Sequence, residues 1–283
     1  MSNKNYLSIY AKSFNWAGFF LPKKTYKKCS ALYDFCRVVD NIADEDEEIE
    51  IKKNKFKQFE KDFNQKNLND PIIKNMWDLI EEFNISLKVV QDLLTGIKSD
   101  IQDEVKFNSK KDLLIYSYRV AGTVGLMMAK ILKVNKKSSL KSAIDLGIAM
   151  QLTNISRDVV EDFKNNRSYI DQNFNEIRTT INLADTFYNS SFYSIKDMPV
   201  SFRFAILVAR RVYRKIGYKI VNKETFEIYK NSGKIYVSNM EKALETFLSI
   251  FDLIKLSLTY KKDDQIHHDH ILINEEINLD ERI

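Results

Sequence analysis

Gln151-Leu152-Thr153-Asn154-Ile155-Ser156-Arg157-Asp158-Val159-Val160-Glu161-Asp162-Phe163 is the stretch that decides the fold of this chain. It holds no glycine or proline, and Leu152, Ile155, Val159, Val160 and Phe163 recur at helical spacing, so a helix is predicted. Asn154, Asp158 and Asp162 are four residues apart and climb one face, drifting about 40° per step. Arg157 stands beside that face. Such a ladder of oxygen ligands is costly to bury empty. A hard divalent cation offsets the cost, because carboxylate and amide oxygens suit Mg²⁺. An amphipathic helix with a solvated polar face would show the same pattern.

An earlier stretch, Ala31-Leu32-Tyr33-Asp34-Phe35-Cys36-Arg37-Val38-Val39-Asp40-Asn41-Ile42-Ala43-Asp44, repeats the design. Asp40 and Asp44 are four apart, and Arg37 lies one turn before Asp40. Packed antiparallel, the two helices would aim both acidic ladders at one cavity. Metal ions between them would hold a diphosphate, with Arg37 and Arg157 on the remaining phosphate oxygens. The chain has no glycine-rich phosphate loop and no dinucleotide fingerprint. No histidine falls in the predicted core, which excludes a histidine-based nucleophile or acid–base dyad. Metal-assisted chemistry on a phosphorylated apolar molecule is what is left.

Seven glycines and three prolines in 283 residues favour long helices over a β-rich fold. The expectation is an all-α chain, with one domain over residues 1–260 and a polar tail over 261–283. Lys and Arg number 44 against 39 Asp and Glu, a net charge of +5 that is too balanced for nucleic acid. The mild basic excess suits anionic headgroups or phosphorylated substrates, though weakly. Cys29 and Cys36 would lie about 10.5 Å apart along one helix, too far for a disulfide. That favours a reduced compartment and a cytoplasmic protein. There is no secretory leader and no apolar run of eighteen residues, so the chain is expected to be soluble or peripheral to a membrane.

Helices are expected from Pro22 to Asp44, over 49–68, after Pro71 to Phe83, from Ser86 to Ile97, from Ser109 to about Lys133, from Ser138 through the acidic ladder, and over 174–193, 201–230 and 235–258. Residues 1–21 are aromatic and hold Lys12-Ser13-Phe14, either an anion contact or part of a loosely helical lid. Gly122 and Gly125 inside a helix cost roughly 1 kcal/mol each against alanine. They mark either close helix packing or a groove wall left open for an apolar ligand. Lys164 to Ile170 leaves the ladder as a loop, placing Arg167 and Tyr169 just beyond it. His267, His268 and His270 lack a further matched ligand and are expected in a solvated tail.

At these residues the chain resembles the squalene and phytoene synthase family, on its phytoene-forming side. Tyr33-x-x-x-Arg37-x-x-Asp40-x-x-x-Asp44 and Gln151-x-x-Asn154-x-x-Arg157-Asp158-x-x-x-Asp162 look like its two aspartate motifs. Lys12-Ser13-Phe14 resembles its N-terminal substrate-contacting segment, and Arg119 to Met128 its central helix. Leu183-Ala184-x-x-x-Tyr188 and Tyr213-Arg214-x-Ile216-Gly217 are also similar, and the resemblance runs from about residue 6 to 245.

The resemblance implies an isoprenoid synthase helical bundle around a central apolar cavity. It implies a Mg²⁺-dependent prenyltransferase (Mn²⁺ is the alternative) that condenses two geranylgeranyl diphosphates head to head through a cyclopropyl diphosphate, as in carotenoid biosynthesis. No nicotinamide nucleotide is needed if the product is phytoene. Carried over, Asp40, Asp44, Asn154, Asp158 and Asp162 are metal ligands, and those aspartates with Arg37 and Arg157 form the catalytic set. Tyr10, Lys12, Ser13, Tyr33, Arg37, Gln151, Arg157, Arg167, Tyr169 and Tyr213 become diphosphate or substrate contacts. Three positions depart from the family: Ala11 replaces a small polar residue, Tyr10 stands where some relatives have histidine, and Gly233-Lys234 occupy a region that usually shows arginine.

The expected partners are geranylgeranyl diphosphate and, for product release, the surface of the inner membrane; nucleic acid is not expected, and oligomeric state is left open. A presqualene, squalene or dehydrosqualene synthase acting on farnesyl diphosphate would carry the same aspartates. A head-to-tail prenyltransferase would more often carry paired aspartates at Asp40-Asn41. A non-catalytic helical assembly factor at a membrane is the alternative of another class, and the intact ladders argue against it.

Overall fold

The computed structural model describes residues 12–259 and 267–283. Tyr10, Ala11 and the side chain of Lys12 lie outside what is described. In chain order the α-helices are α1 (Lys12–Gly18), α2 (Lys23–Asp44), α3 (Ile49–Asn64), α4 (Pro71–Phe83), α5 (Leu87–Lys98), α6 (Lys110–Ser117), α7 (Thr123–Ile131), α8 (Lys137–Lys164), α9 (Phe174–Phe192), α10 (Val200–Val221), α11 (Phe226–Asn231), α12 (Asn239–Leu258) and α13 (His270–Asn274). The expectation of an all-α bundle is met. Among the described residues the strands are two-residue segments, β1 (Val105–Lys106) and β2 (Arg167–Ser168), paired in parallel. This small pairing fastens the loop after α8 to the loop after α5, and so fixes where Arg167 points.

Helix α8 is the axis of the bundle. Leu140, Ile144, Ile148, Leu152, Ile155 and Val159 follow each other at steps of three or four and are all buried. It packs against α7, α9 and α10, while α2 packs against α3, α4 and α7. Two helices start on side-chain caps that the sequence announces, whereas Ser86 ahead of α5 makes no side-chain cap bond. Asp70 accepts from the amides of Ile72 and Ile73 ahead of Pro71, and Ser109 accepts from the amide of Asp112.

Between α6 and α7 the backbone widens into one π-helical turn, Tyr118–Gly122. Two glycines next to it serve close packing. A Cβ on Gly125 would lie 2.2 Å from the Ala143 carbonyl oxygen, and one on Gly147 would lie 2.2 Å from that of Ala121. Backbone therefore meets backbone where α7 crosses α8, so the packing reading of Gly125 holds; Ala121 and Gly125 also line the cavity described below, so the groove-wall reading holds beside it.

Two further expectations are corrected. The helix expected over 201–230 breaks after Val221, where Glu224 takes a left-handed φ of 66° and Thr225 caps α11. The expectation that the C-terminal histidines are solvated holds only for His268. His267 and His270 are 6% and 3% exposed, with Ile273, Ile277 and Leu279 buried beside them. The His267 ring stacks on Phe187, and His270 Nε2 hydrogen-bonds the buried carboxylate of Asp145. A histidine-free core was therefore the wrong expectation. Asp145, alone on an apolar helix face, needs a buried partner, and the tail supplies it. Cys29 and Cys36 are both free thiols, and no helix among the described residues is long and apolar enough to cross a membrane.

Candidate active site

Helices α2 and α8 bring their acidic ladders to one cavity of about 840 Å³. Asp40 and Asp44 line it from α2, and Gln151, Asn154, Arg157, Asp158 and Asp162 from α8. Tyr33, Arg37, Arg167, Tyr169 and Tyr213 also face it. The rest of the lining is largely apolar, with Val124, Met128, Leu146, Ile195, Met198 and Ile206 among the contributors. The size falls within the range of small-molecule sites. Ser13 does not line the cavity, although its neighbour Phe14 does.

Three arginines hold the carboxylates. Arg37 Nη1 is 2.6 Å from Asp40 Oδ2 and 3.9 Å from Asp44 Oδ2. Arg157 donates to both oxygens of Asp158, from Nε and Nη2. Arg167 Nη1 donates to Asp44 at 2.9 Å. Lys234, where the family pattern predicts arginine, reaches the same wall. Its ammonium is 2.8 Å from Glu161 and 3.5 Å from Asp158.

Asp162 stands apart from these pairs. Burial, and then the charge of Asp158, push its carboxyl up to about 7. Asp40 is 45% exposed through the cavity but ringed by protein. Burial and then Asp44 push it up to about 6, against the pull of Arg37.

The donor set fits a hard divalent cation. Four carboxylates share the wall with Asn154, whose Oδ1 is buried and has no hydrogen-bond partner among the described residues. A bare amide oxygen on an acidic wall is a ligand such a cation takes. As placed, no three acidic, histidine or cysteine side chains among the described residues are close enough to share one ion. The guanidinium groups occupy the carboxylates that a cation would use, so its binding must loosen those pairs.

Asp100, at the end of α5, is a member of the site that the sequence did not reveal. It accepts hydrogen bonds from Tyr116 at 2.7 Å and Tyr169 at 2.8 Å, and burial pushes its carboxyl up to about 6. Tyr169, expected as a diphosphate contact, is thus buried with its hydroxyl already committed. The three groups come from residues far apart in sequence, and Asp100 sits in a charged loop that masks it. Tyr116 could have been found, since it opens the segment that leads into the unusual central helix.

A family model described as squalene/phytoene synthase matches residues 8–178. The chain is 30% identical over 247 residues to a 15-cis-phytoene synthase of Enterobacter agglomerans, covering 76% of this chain and 83% of that protein. It is 28% identical over 267 residues to a 4,4'-diapophytoene synthase of Staphylococcus haemolyticus, covering 82% and 90%. The solved structure of a dehydrosqualene synthase in complex with a ligand matches with a TM-score of 0.72 at 25% identity, covering 88% of this chain and 94% of that one.

Proposed function

We propose that this chain, which belongs to the squalene/phytoene synthase family, joins two geranylgeranyl diphosphates head to head to give phytoene and two diphosphates. The observation that carries the reading is the cavity itself, which sets two acidic ladders and their arginines on one wall and apolar side chains on the rest. The likeness to phytoene synthases supports the twenty-carbon substrate.

The difficult step is loss of diphosphate from an allylic carbon, which separates charge in a medium of low dielectric. Asp40, Asp44, Asn154, Asp158 and Asp162 would hold magnesium, with manganese as a substitute. When bound, the metal supplies positive charge to the departing diphosphate. Arg37, Arg157 and Arg167 bring further cationic donors to the same wall. The apolar lining keeps out water, which would quench an allylic cation to an alcohol. The double bond of the second substrate attacks the cation, and loss of a proton from the joined carbons to the released diphosphate closes a cyclopropyl ring. That cyclopropyl diphosphate loses its own diphosphate, rearranges and gives up a second proton. Atoms and electrons balance without a reductant, so no nicotinamide nucleotide enters.

A second reading, joining of two farnesyl diphosphates, draws on the likeness to a dehydrosqualene synthase. The test is incubation with magnesium and an equal mixture of farnesyl and geranylgeranyl diphosphates, read by mass spectrometry. A forty-carbon hydrocarbon supports the first reading and a thirty-carbon one the second. Unreacted substrate with folded protein overturns both.

A further inference from the structure

The one π-helical turn among the described residues, Tyr118–Gly122, stands on the cavity wall. Tyr116, Val120 and Val124 line the cavity at steps of four. In a plain α-helix each such step drifts about 40°, so Tyr116 and Val124 would face directions about 80° apart. A turn with i→i+5 bonds between them takes up that drift and keeps all three on one face. The wide turn therefore presents Tyr116, the donor to Asp100, and Val120 to the same cavity. Such turns are rare inside helices, so something has to hold this one.

The hold comes from residues 267–283. Tyr118 and Arg119, which open the turn, do not line the cavity. Tyr118 is fully buried, and its hydroxyl donates to Asp92 of α5 at 2.9 Å. Arg282 donates to both oxygens of that carboxylate, from Nε at 2.9 Å and from Nη2 at 3.3 Å. Arg119 Nη2 donates to Glu276 at 2.7 Å. Gly96 of α5 allows the turn to come close, because a Cβ there would lie 2.7 Å from Arg119 Cβ and 2.9 Å from Val120 Cγ1. The turn is thus clamped between α5 and the C-terminal segment.

The segment is itself fastened at several points. Lys110 and Lys111 of α6 pair with Asp269 and Glu275, and Lys141 of α8 pairs with Asp280. Half-exposed ion pairs add little stability singly, whereas a two-pronged arginine on a buried carboxylate is a strong contact. A tail that only covered apolar surface would need no polar hold on the turn. This one has two, and they fall on consecutive residues.

We propose that residues 267–283 form a positioning strap. Arg282, through Asp92 and Tyr118, and Glu276, through Arg119, keep the π-helical turn wide and so fix the wall that Tyr116, Val120 and Val124 present to the cavity. With the strap loosened, the turn relaxes toward an α-helix, the wall rotates and water enters. That consequence for catalysis rests on the prenyl-joining reaction proposed above; the hold on the turn does not.

The test uses the full chain and two readouts. The first is amide hydrogen exchange over residues 118–124 without substrate, with α3 as the control region. The second is the share of turned-over geranylgeranyl diphosphate that ends as alcohol rather than hydrocarbon, a ratio that loss of folded protein does not move. Arg282→Met keeps the stem and removes the fork; exchange over the turn should quicken by about tenfold while α3 exchanges as before. Glu276→Arg sets two cations face to face and should quicken it less. Both should raise the alcohol share, and adding Arg119→Glu to Glu276→Arg should restore the wild-type values. Wild-type exchange over the turn in both single variants overturns the proposal. So does a rise shared equally by α3, which would make the segment a general stabiliser, or an unchanged alcohol share beside faster exchange. A folded charge-swap variant that restores neither readout overturns it as well. If the wild type yields neither hydrocarbon nor alcohol, the prenyl-joining reading fails, and the exchange rates with their rescue decide the strap.

Discussion

Arg167 reaches from the strand after α8 to the end of α2, with its Nη1 2.9 Å from Asp44 Oδ1 and its Nη2 3.1 Å from the Ala43 carbonyl oxygen. It ties the loop after α8 to the ladder of α2, its charge also bears on Asp162 of α8, and it offers the cavity a planar, two-pronged donor of the kind a diphosphate needs. Arg167→Lys keeps the charge and loses the fork. We expect kcat/KM for geranylgeranyl diphosphate to fall on the order of 10²-fold, as for loss of a donor to developing charge. Steady-state kinetics check this; unchanged kcat/KM in the lysine variant would remove Arg167 from the site.

Asp162→Asn should move stability and activity in opposite directions. The native carboxylate is pushed up to about 7 by burial and by Asp158, so at pH 8 the folded protein carries a charge it holds poorly. The amide removes that charge, and the melting temperature of the metal-free variant should rise by about 2–4 °C, what roughly 1 kcal/mol gives in a domain of this size. Turnover with magnesium should collapse, a trade typical of functional carboxylates. A variant less stable than the wild type at pH 8 would contradict the strain at this position.

The pH dependence of the metal-free protein follows from the same groups. Asp40 and Asp100 titrate near 6 and Asp162 near 7, all above the ordinary carboxylate range near 4. The folded state therefore binds these protons more tightly than the unfolded chain. Their stabilising contribution is fully present below about pH 4 and is lost as pH rises through 6 and 7. Between pH 8 and pH 5 the metal-free melting temperature should rise as pH falls. With Mg²⁺ and inorganic diphosphate the trend should reverse, since deprotonated ligands bind the cation. Calorimetric scans at stepped pH decide it, and a flat profile in both conditions would contradict the assignment.

The C-terminal segment should be structural. His270 closes the polar demand of Asp145, and Arg282 Nε donates to Asp92 at 2.9 Å, the same carboxylate that holds the Tyr118 hydroxyl at the π-helical turn. Removing one partner of a buried pair costs about 3–5 kcal/mol. His270→Ala should approach that range in denaturant unfolding, and Arg282→Ala, nearer the surface, should cost less. A His270→Ala variant as stable as the wild type would return the segment to the solvated tail that its composition suggests.

The helices around the site were legible because their signals are local. The apolar spacing along α8, and the four-residue steps of Asn154, Asp158 and Asp162, survive into the structure unchanged. What was not legible depends on contacts between distant segments. Asp100 acquires its role only when α6 and the loop after α8 bring Tyr116 and Tyr169 onto it. Gly147 sits inside the decisive helix as an ordinary residue until Ala121 is laid against it. The C-terminal histidines lie among polar residues, and nothing local reveals that Asp145 waits for them. The break at Glu224 carries no glycine or proline to announce it.

The measurement that bears most directly on the central claim is a product balance. Geranylgeranyl diphosphate is incubated with Mg²⁺ and wild-type protein, and diphosphate, hydrocarbon and alcohol are counted together, with Asp40→Asn and Asp158→Asn as controls. The account predicts two diphosphates released for each forty-carbon hydrocarbon, little geranylgeraniol, and loss of most turnover in both variants while they stay folded. Diphosphate release that yields only the alcohol, or full turnover in both variants, would contradict it.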